Sequence, residues 1–279
     1  MSRNKDRLGG HKPEPAEATP QFNPLNFVAP TEFVDLPSGG LGYPEEHALF
    51  GKDTIEIKYM TAKDEDILTS QTLLKKGIAI DRFLENIILD KSITANSLLI
   101  GDKNAILVAA RSSGYGSQYE GSVSCPQCST KNRLVFDLAN PTMIKPDLEQ
   151  DFGVTLNNDG TYSIKLPFSG FNAQLRLMTG ADENYLAKYI EKSQKSNEPE
   201  SLMTTQFKRM IVSIEGHTDQ NIINQFVENM PTADSRHIRL INRLITPNIE
   251  IKQTLKCINC SHTEEVDVPF GTDFLWPNT

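Results

Sequence analysis

The sequence is short of the residues that usually carry chemistry. Among 279 residues there are four cysteines, one tryptophan and five histidines. His11, His47, His217, His237 and His262 are scattered, with no His-Glu-x-x-His, Gly-x-Ser-x-Gly or Walker loop, so no catalytic constellation of these kinds is written in the chain. No apolar run approaches the roughly 18 residues of a membrane span. The longest, Ile87-Ile88-Leu89 and Ala105 to Ala110, are core-sized. Met1 to Arg7 is polar and no hydrophobic segment follows, which predicts no signal peptide. Positive charge is outnumbered, 28 Lys and Arg against 36 Asp and Glu, for a net charge of −8. That balance disfavours general nucleic-acid binding, in which neutralising phosphates dominates affinity. A hydrophobic content of 38% is nonetheless enough for an ordinary core.

The cysteines form two pairs, Cys125-Pro-Gln-Cys128 and Cys257-Ile-Asn-Cys260. Two intervening residues let two thiolates on a tight turn chelate one ion, and two such knuckles complete a tetrahedral shell. Pairing of all four suits a reducing compartment better than a secreted disulfide framework. The familiar arrangement separates the pairs by roughly 15–20 residues, whereas more than a hundred intervene here. The flanks therefore have to decide, and they match. A shift of 132 positions places Val123 on Leu255, Ser129 on Ser261, and Leu134, Phe136 and Leu138 on Val266, Val268 and Phe270. Apolar and polar residues alternate on both sides of each pair, which predicts a knuckle in the turn of a β-hairpin.

The matching extends upstream. Asp102, Ile106 and Arg111 meet Asp234, Ile238 and Arg243. At a shift of 118, Ile57-Lys-Tyr-Met-Thr-Ala-Lys-Asp-Glu65 meets Leu175-Arg-Leu-Met-Thr-Gly-Ala-Asp-Glu183, and, at a shift of 124, Phe83, Ile87 and Ile88 are aligned with Phe207, Ile211 and Val212. Val34-Asp-Leu-Pro37 corresponds to Ile164-Lys-Leu-Pro167. The expected fold is α+β, a tandem duplication of a strand–helices–knuckle-hairpin unit joined at one shared four-cysteine zinc site. Its expected boundaries are an N-terminal arm over 1–30, disordered or extended, a first repeat over 31–140, a linker over 141–154, a second repeat over 155–272 and an apolar tail over 273–279.

Along the chain, Pro13, Pro15, Pro20, Pro24 and Pro30 break up the arm, in which Phe22 and Phe27 are the large anchors, with Phe33 just beyond. Thr31 to Pro37 and Asp53 to Met60 read as strands. Thr61 and Asp64 make a capping box for the helix that follows, Gly77 stops it, and Asp81 opens another with Phe83, Leu84, Ile87 and Ile88 buried. Asp102 is expected to cap a third helix ending at Gly114 and Gly116. In the second half Asn158-Asp159-Gly160 is a hairpin turn, Ala173 to Met178 a strand, and Thr179 with Asp182 a second capping box. Helices are expected over Met203–Ile214, Asn221–Met230 and Ala233–Leu244. Phe274-Leu275-Trp276-Pro277 is either a core plug or a docking peptide.

Leu36-Pro-Ser-Gly-Gly-Leu-Gly-Tyr-Pro44, Met60-Thr-Ala-Lys-Asp-Glu-Asp-Ile-Leu68, Arg111-Ser-Ser-Gly-Tyr-Gly116 ahead of the first knuckle, and the terminal Phe-Leu-Trp-Pro together resemble the baseplate hub and hub-assembly proteins of contractile-tailed, T-even-like bacteriophages. The likeness covers roughly residues 33 to 277. It implies a structural or assembly part in the hub region of a tail baseplate, made through contacts with other phage tail and baseplate proteins, in the host cytoplasm during assembly, and leaves open whether the protein stays in the virion tail or only assists assembly. It implies no enzyme, no small-molecule substrate and no membrane.

The residues themselves favour one structural zinc per chain on Cys125, Cys128, Cys257 and Cys260. Four thiolates close the shell, whereas a catalytic zinc keeps a position open. Two rivals remain. A CxxC pair can cycle between dithiol and disulfide, but in thioredoxin-like sites it opens a helix, and here strands flank both pairs. A zinc-ribbon nucleic-acid binder would draw on Lys131, Arg133, Lys252 and Lys256, yet a zinc centre of four thiolates carries negative charge and gives nearby cations a local reason to be there.

Overall fold

The computed structural model describes residues 28–147, 152–196, 201–269 and 272–275. Most of the arm, with Phe22 and Phe27, lies outside the described residues, as do Phe270, Trp276 and Pro277.

The first half opens with β1 (Thr31–Asp35) antiparallel to β2 (Thr54–Lys58), in a register running from Thr31 opposite Lys58 to Asp35 opposite Thr54. Strand alternation sends Val34, Ile55 and Ile57 into the core. Helix α1 (Ala62–Thr69) starts at the expected capping box, where Thr61 N and Oγ1 donate to Asp64 Oδ2 at 2.9 and 2.6 Å. After the short α2 (Gln71–Lys75), α3 (Ala79–Ile87) buries the stripe Phe83, Leu84 and Ile87. Helix α4 (Ile100–Tyr115) ends at Gly116, whose φ of +87° favours glycine, and delivers the chain to the hairpin β3 (Gln118–Ser124) and β4 (Lys131–Asp137). Asp102 does not cap α4. Leu99 holds that position, and the Asp102 carboxylate reaches across to Ser38.

The segment after this hairpin crosses to the other half. Inside the stretch expected as a linker, β5 (Thr142–Ile144) pairs antiparallel with β10 (Asn248–Glu250), and Asp147 N donates to Leu244 O at 2.9 Å. The second half then forms a four-stranded antiparallel sheet from β6 (Thr155–Leu156), β7 (Tyr162–Lys165), β8 (Asn172–Leu175) and β9 (Ile211–Ile214), in that order. The β6–β7 turn uses Gly160 at φ +77°, with Asp159 Oδ1 accepting from Thr161 N. Helices α5 (Gly180–Ser196), α6 (Leu202–Met210), α7 (Gln220–Asn229) and α8 (Thr232–Ile245) follow, then the second hairpin, β11 (Lys252–Lys256) and β12 (Thr263–Asp267), and the short α9 (Thr272–Leu275).

The helix expected over Met203–Ile214 stops at Met210. Ile211-Val-Ser-Ile214 instead pairs with β8, as suits a β-branched run that alternates between core and surface. In the first half the same place is held by a single bridge between Ile57 and Ile88. Ile88 N closes α3 on Leu84 O and Ile211 N closes α6 on Phe207 O, so matching the two helix ends sets Leu84, rather than Phe83, against Phe207.

Contacts recur between the halves. Thr179 N and Oγ1 donate to Asp182 Oδ2 at 3.0 and 3.2 Å, as Thr61 does to Asp64, and Arg176 pairs with Asp182 where Lys58 pairs with Asp64. Asp102 accepts from Ser38 N after Leu36-Pro37, and Asp234 accepts from Phe168 N and Ser169 N after Leu166-Pro167. All four of these carboxylates are buried.

One hydrophobic core spans both halves. Main-chain bonds stitch the seam: Ile100 N to Met178 O, Gly180 N to Leu98 O and Ala181 N to Asn96 O, at 3.2, 2.9 and 3.0 Å. Backbones meet closely there, since a Cβ on Gly101 would stand 2.0 Å from Pro247 O and one on Gly180 would stand 2.3 Å from Ala95 O. Buried Lys103 of α4 pairs with Asp81 at 3.2 Å and with Glu183 of α5 at 2.8 Å. The C-terminal segment crosses in the opposite sense to β5. Phe274 is buried edge-on to Tyr119 of β3, with ring centres 5.1 Å apart, and its carbonyl accepts from Arg111 Nε at 2.9 Å.

Candidate metal centre

Each knuckle is the turn of its hairpin, and the two turns are built alike. In the first, Cys125 N donates to Thr130 O at 2.9 Å and Ser129 N to Cys125 O at 2.8 Å. In the second, Cys257 N donates to His262 O at 2.9 Å and Ser261 N to Cys257 O at 3.1 Å. Ser129 and Ser261 both take φ of +57°, a left-handed conformation that costs a non-glycine residue energy and persists where the surrounding bonds enforce it. Beneath the turns Leu255 is buried with Cys125 and Cys257, and Leu134 and Val266 pack alongside.

The hairpins bring all four sulfurs within 4.8 Å of one another. Close separations cross between the halves: Cys128 Sγ to Cys257 Sγ is 3.5 Å and Cys125 Sγ to Cys260 Sγ is 3.7 Å. None of the four is in a disulfide. A tetrahedron of sulfurs about 2.3 Å from a central zinc has edges of about 3.8 Å. The donor set and spacing fit one ion, and these four cysteines can hold it. His262 turns to Glu264, with Nε2 3.3 Å from Oε2. Among the described residues no second group of three or more His, Cys, Asp or Glu side chains converges in this way.

Asn132 is the residue that sequence reasoning missed. Buried on β4, it donates from Nδ2 to Thr130 O at 2.8 Å and accepts at Oδ1 from Ile258 N at 3.0 Å, bridging one knuckle to the other. Its Nδ2 also lies 3.9 Å from Cys257 Sγ. The shifted position on the second hairpin is the exposed Glu264, so the repeat gives no signal for it.

The local fields favour thiolates at two sulfurs. The hydroxyl and backbone N–H of Thr130 lower the Cys128 thiol to about 6, and the N–H groups of Cys260 and Asn259 lower Cys257. At Cys260 a backbone hydrogen bond at His262 works in the same direction, but burial and the sulfurs of Cys128, Cys125 and Cys257 prevail and raise it to about 12. Crowding of this kind is what a bound cation relieves. Of the basic residues near the knuckles, Lys252 is paired with Glu250 at 2.7 Å, with Asp267 and Glu265 also nearby, so it does not stand in an open basic patch.

A family model described as T4 bacteriophage base plate protein matches residues 30–276. The chain belongs to this family. Comparison with curated proteins and with solved structures gave no match. The base plate match starts next to β1 and takes in both knuckles and both halves, leaving out the arm. A base plate protein is a structural part of a phage tail and associates with other tail proteins, and a family of that kind points away from catalysis. Among the described residues no helix is long and apolar enough to cross a membrane.

Proposed function

We propose that this base plate protein builds or assembles the hub region of the baseplate through stoichiometric protein contacts, and that one structural zinc on Cys125, Cys128, Cys257 and Cys260 ties together two copies of a duplicated unit. The carrying observation is that four sulfurs from hairpins of different halves converge within 4.8 Å of one another, with separations of 3.5 and 3.7 Å across the halves. A metal there clamps one half to the other and does little for either hairpin alone. Duplication is supported by the paired roles of Asp64 and Asp182 and of Asp102 and Asp234, and by the reciprocal crossing of β5 and α9. The shell is filled by four thiolates, which leaves no open coordination position for substrate, so the zinc is structural and the protein is not an enzyme.

The test has two readouts. Elemental analysis of the purified chain should give one zinc per molecule, and mixing with hub and tail-tube components should yield a stoichiometric complex on size exclusion. Metal-free folded protein would end the zinc reading. Thiol–disulfide turnover, or tight salt-sensitive DNA binding without complex formation, would replace the assembly reading with a redox or nucleic-acid one.

A further inference from the structure

The two halves differ at one edge. In the second half β6 covers the outer edge of β7, and Phe152, Val154 and Leu156 of that segment pack on the core. In the first half β1 has β2 on one side, and among the described residues no strand pairs with its other edge. Leu36 N bonds to Asp53 O and Tyr59 N to Pro30 O, which puts the even-numbered residues in bonded pairs with β2. The N–H and C=O groups of Thr31, Phe33 and Asp35 therefore point away from β2. A groove of about 380 Å³ lies between β1, α4 and residues 138–143, lined by Val34, Ala105, Val108, Leu138 and Met143. Glu32 also lines it, and its buried Oε1 has no hydrogen-bond partner among the described residues. Phe33, another lining residue, is 71% exposed.

An unpaired edge above an apolar groove is a template for an added strand. The sequence ahead of Val28 contains a segment of matching chemistry, Pro20-Gln-Phe-Asn-Pro-Leu-Asn-Phe27; as an added strand it would set Asn23, Leu25 and Phe27 on one face, two apolar side chains for the groove and an amide able to donate to Glu32. Among the described residues 28–30 none takes a positive φ, so no two-residue hairpin turn leads back onto β1 there. Where the second half turns with Asn157-Asn158-Asp159-Gly160, the first has Phe27-Val28-Ala29-Pro30, which offers no residue suited to positive φ. Pro30 restricts Ala29 to extended conformations, and Pro30 O still bonds to Tyr59 N, so the chain leaves β1 along the strand line. At about 3.3 Å per residue the segment reaches a neighbouring molecule.

We propose that the groove beside β1 accepts residues 20–27 of a second copy of this chain as an added strand. The comparison with β6 rests on the duplication proposed above, whereas the free edge, the groove and the unpartnered Glu32 do not. Reciprocal exchange gives a closed twofold dimer.

The test uses full chains. Wild type should be dimeric by light scattering. Leu25→Ser with Phe27→Ser, which leaves the folded body untouched, should be monomeric, with at least a tenfold rise in the dimer dissociation constant. Ala109 of α4 also lines the groove, and Ala109→Arg, which fills it, should be monomeric too. An equimolar mixture of the two variants should recover dimer, because one intact arm then meets one intact groove. A monomeric wild type, or a dimer that survives the arm substitutions, overturns the proposal. A monomer whose β1 amides lose protection on arm substitution shows the arm seated on its own chain and overturns it too. None of these outcomes bears on zinc content, so failure here leaves the metal clamp standing.

Discussion

The sulfurs of Cys128 and Cys257 lie 3.5 Å apart although 129 positions separate them in the chain. That closeness joins hairpins belonging to different halves, and the consequences of a metal at this point reach beyond the knuckles. Chelation should loosen the seam before it melts either half. Metal free energy is folding free energy where the site is assembled only in the folded state. A strong chelator should therefore lower the thermal midpoint by on the order of 5–10 °C, and readdition of zinc should restore it. A midpoint indifferent to chelator at confirmed metal loss would contradict this.

Asp182 gives a prediction in pH. Burial acts to raise its carboxyl, but hydrogen bonds from Arg176, Thr179 N and Arg209 outweigh burial and hold it near 2, against an ordinary 3.8. A group depressed in the folded state stabilises above its unfolded value and loses that contribution as pH falls through the folded one. About 2 kcal/mol should thus be present above pH 4 and disappear between about pH 4 and 2. Asp182→Asn should lose a similar amount at pH 7 and flatten this part of the stability profile, as read by denaturant titration at several pH values.

At the seam, Gly101→Ala should cost about 3 kcal/mol or more, because the new methyl meets the Pro247 carbonyl at 2.0 Å and neither backbone can withdraw without opening the core. Gly77→Ala, at the left-handed glycine that ends α2, meets nothing within 4 Å and should cost only about 1 kcal/mol through its positive φ. Equal effects in chemical denaturation would mean that the close approach at Gly101 carries no weight.

Lys103→Ala should leave the buried Asp81 carboxylate without its cation and weaken contact between α4 and α5. Removing one partner of a buried pair costs about 3–5 kcal/mol, and half-exposed Glu183 brings the expectation to about 3 kcal/mol. Lys103→Met together with Asp81→Leu should recover part of the loss.

The sequence displayed the cysteine set because a CxxC turn is local, and its alternating flanks identify a hairpin without reference to anything distant. The capping boxes at Thr61 and Thr179 were legible for the same reason. What escaped depends on contacts between remote segments. Asn132 bridges the knuckles from a position whose repeat partner is Glu264. Ile211–Ile214 is a strand only because β8 lies beside it. Whether Phe83 or Leu84 is set against Phe207 depends on where the helices end, because both residues are fully buried and apolar pattern alone does not separate them. The crossing of β5 and of Phe274 into opposite halves has no local signature at all.

The most direct test of the clamp is hydrogen exchange on Cys257→Ser. Serine is nearly isosteric but a poor zinc ligand, so the change breaks the shell with little effect on packing. The clamp predicts lost zinc and faster amide exchange in the first knuckle, around Cys125–Cys128, a hairpin the substitution does not touch. Unchanged protection there, with wild-type assembly, would show that the two knuckles act independently and would contradict the account.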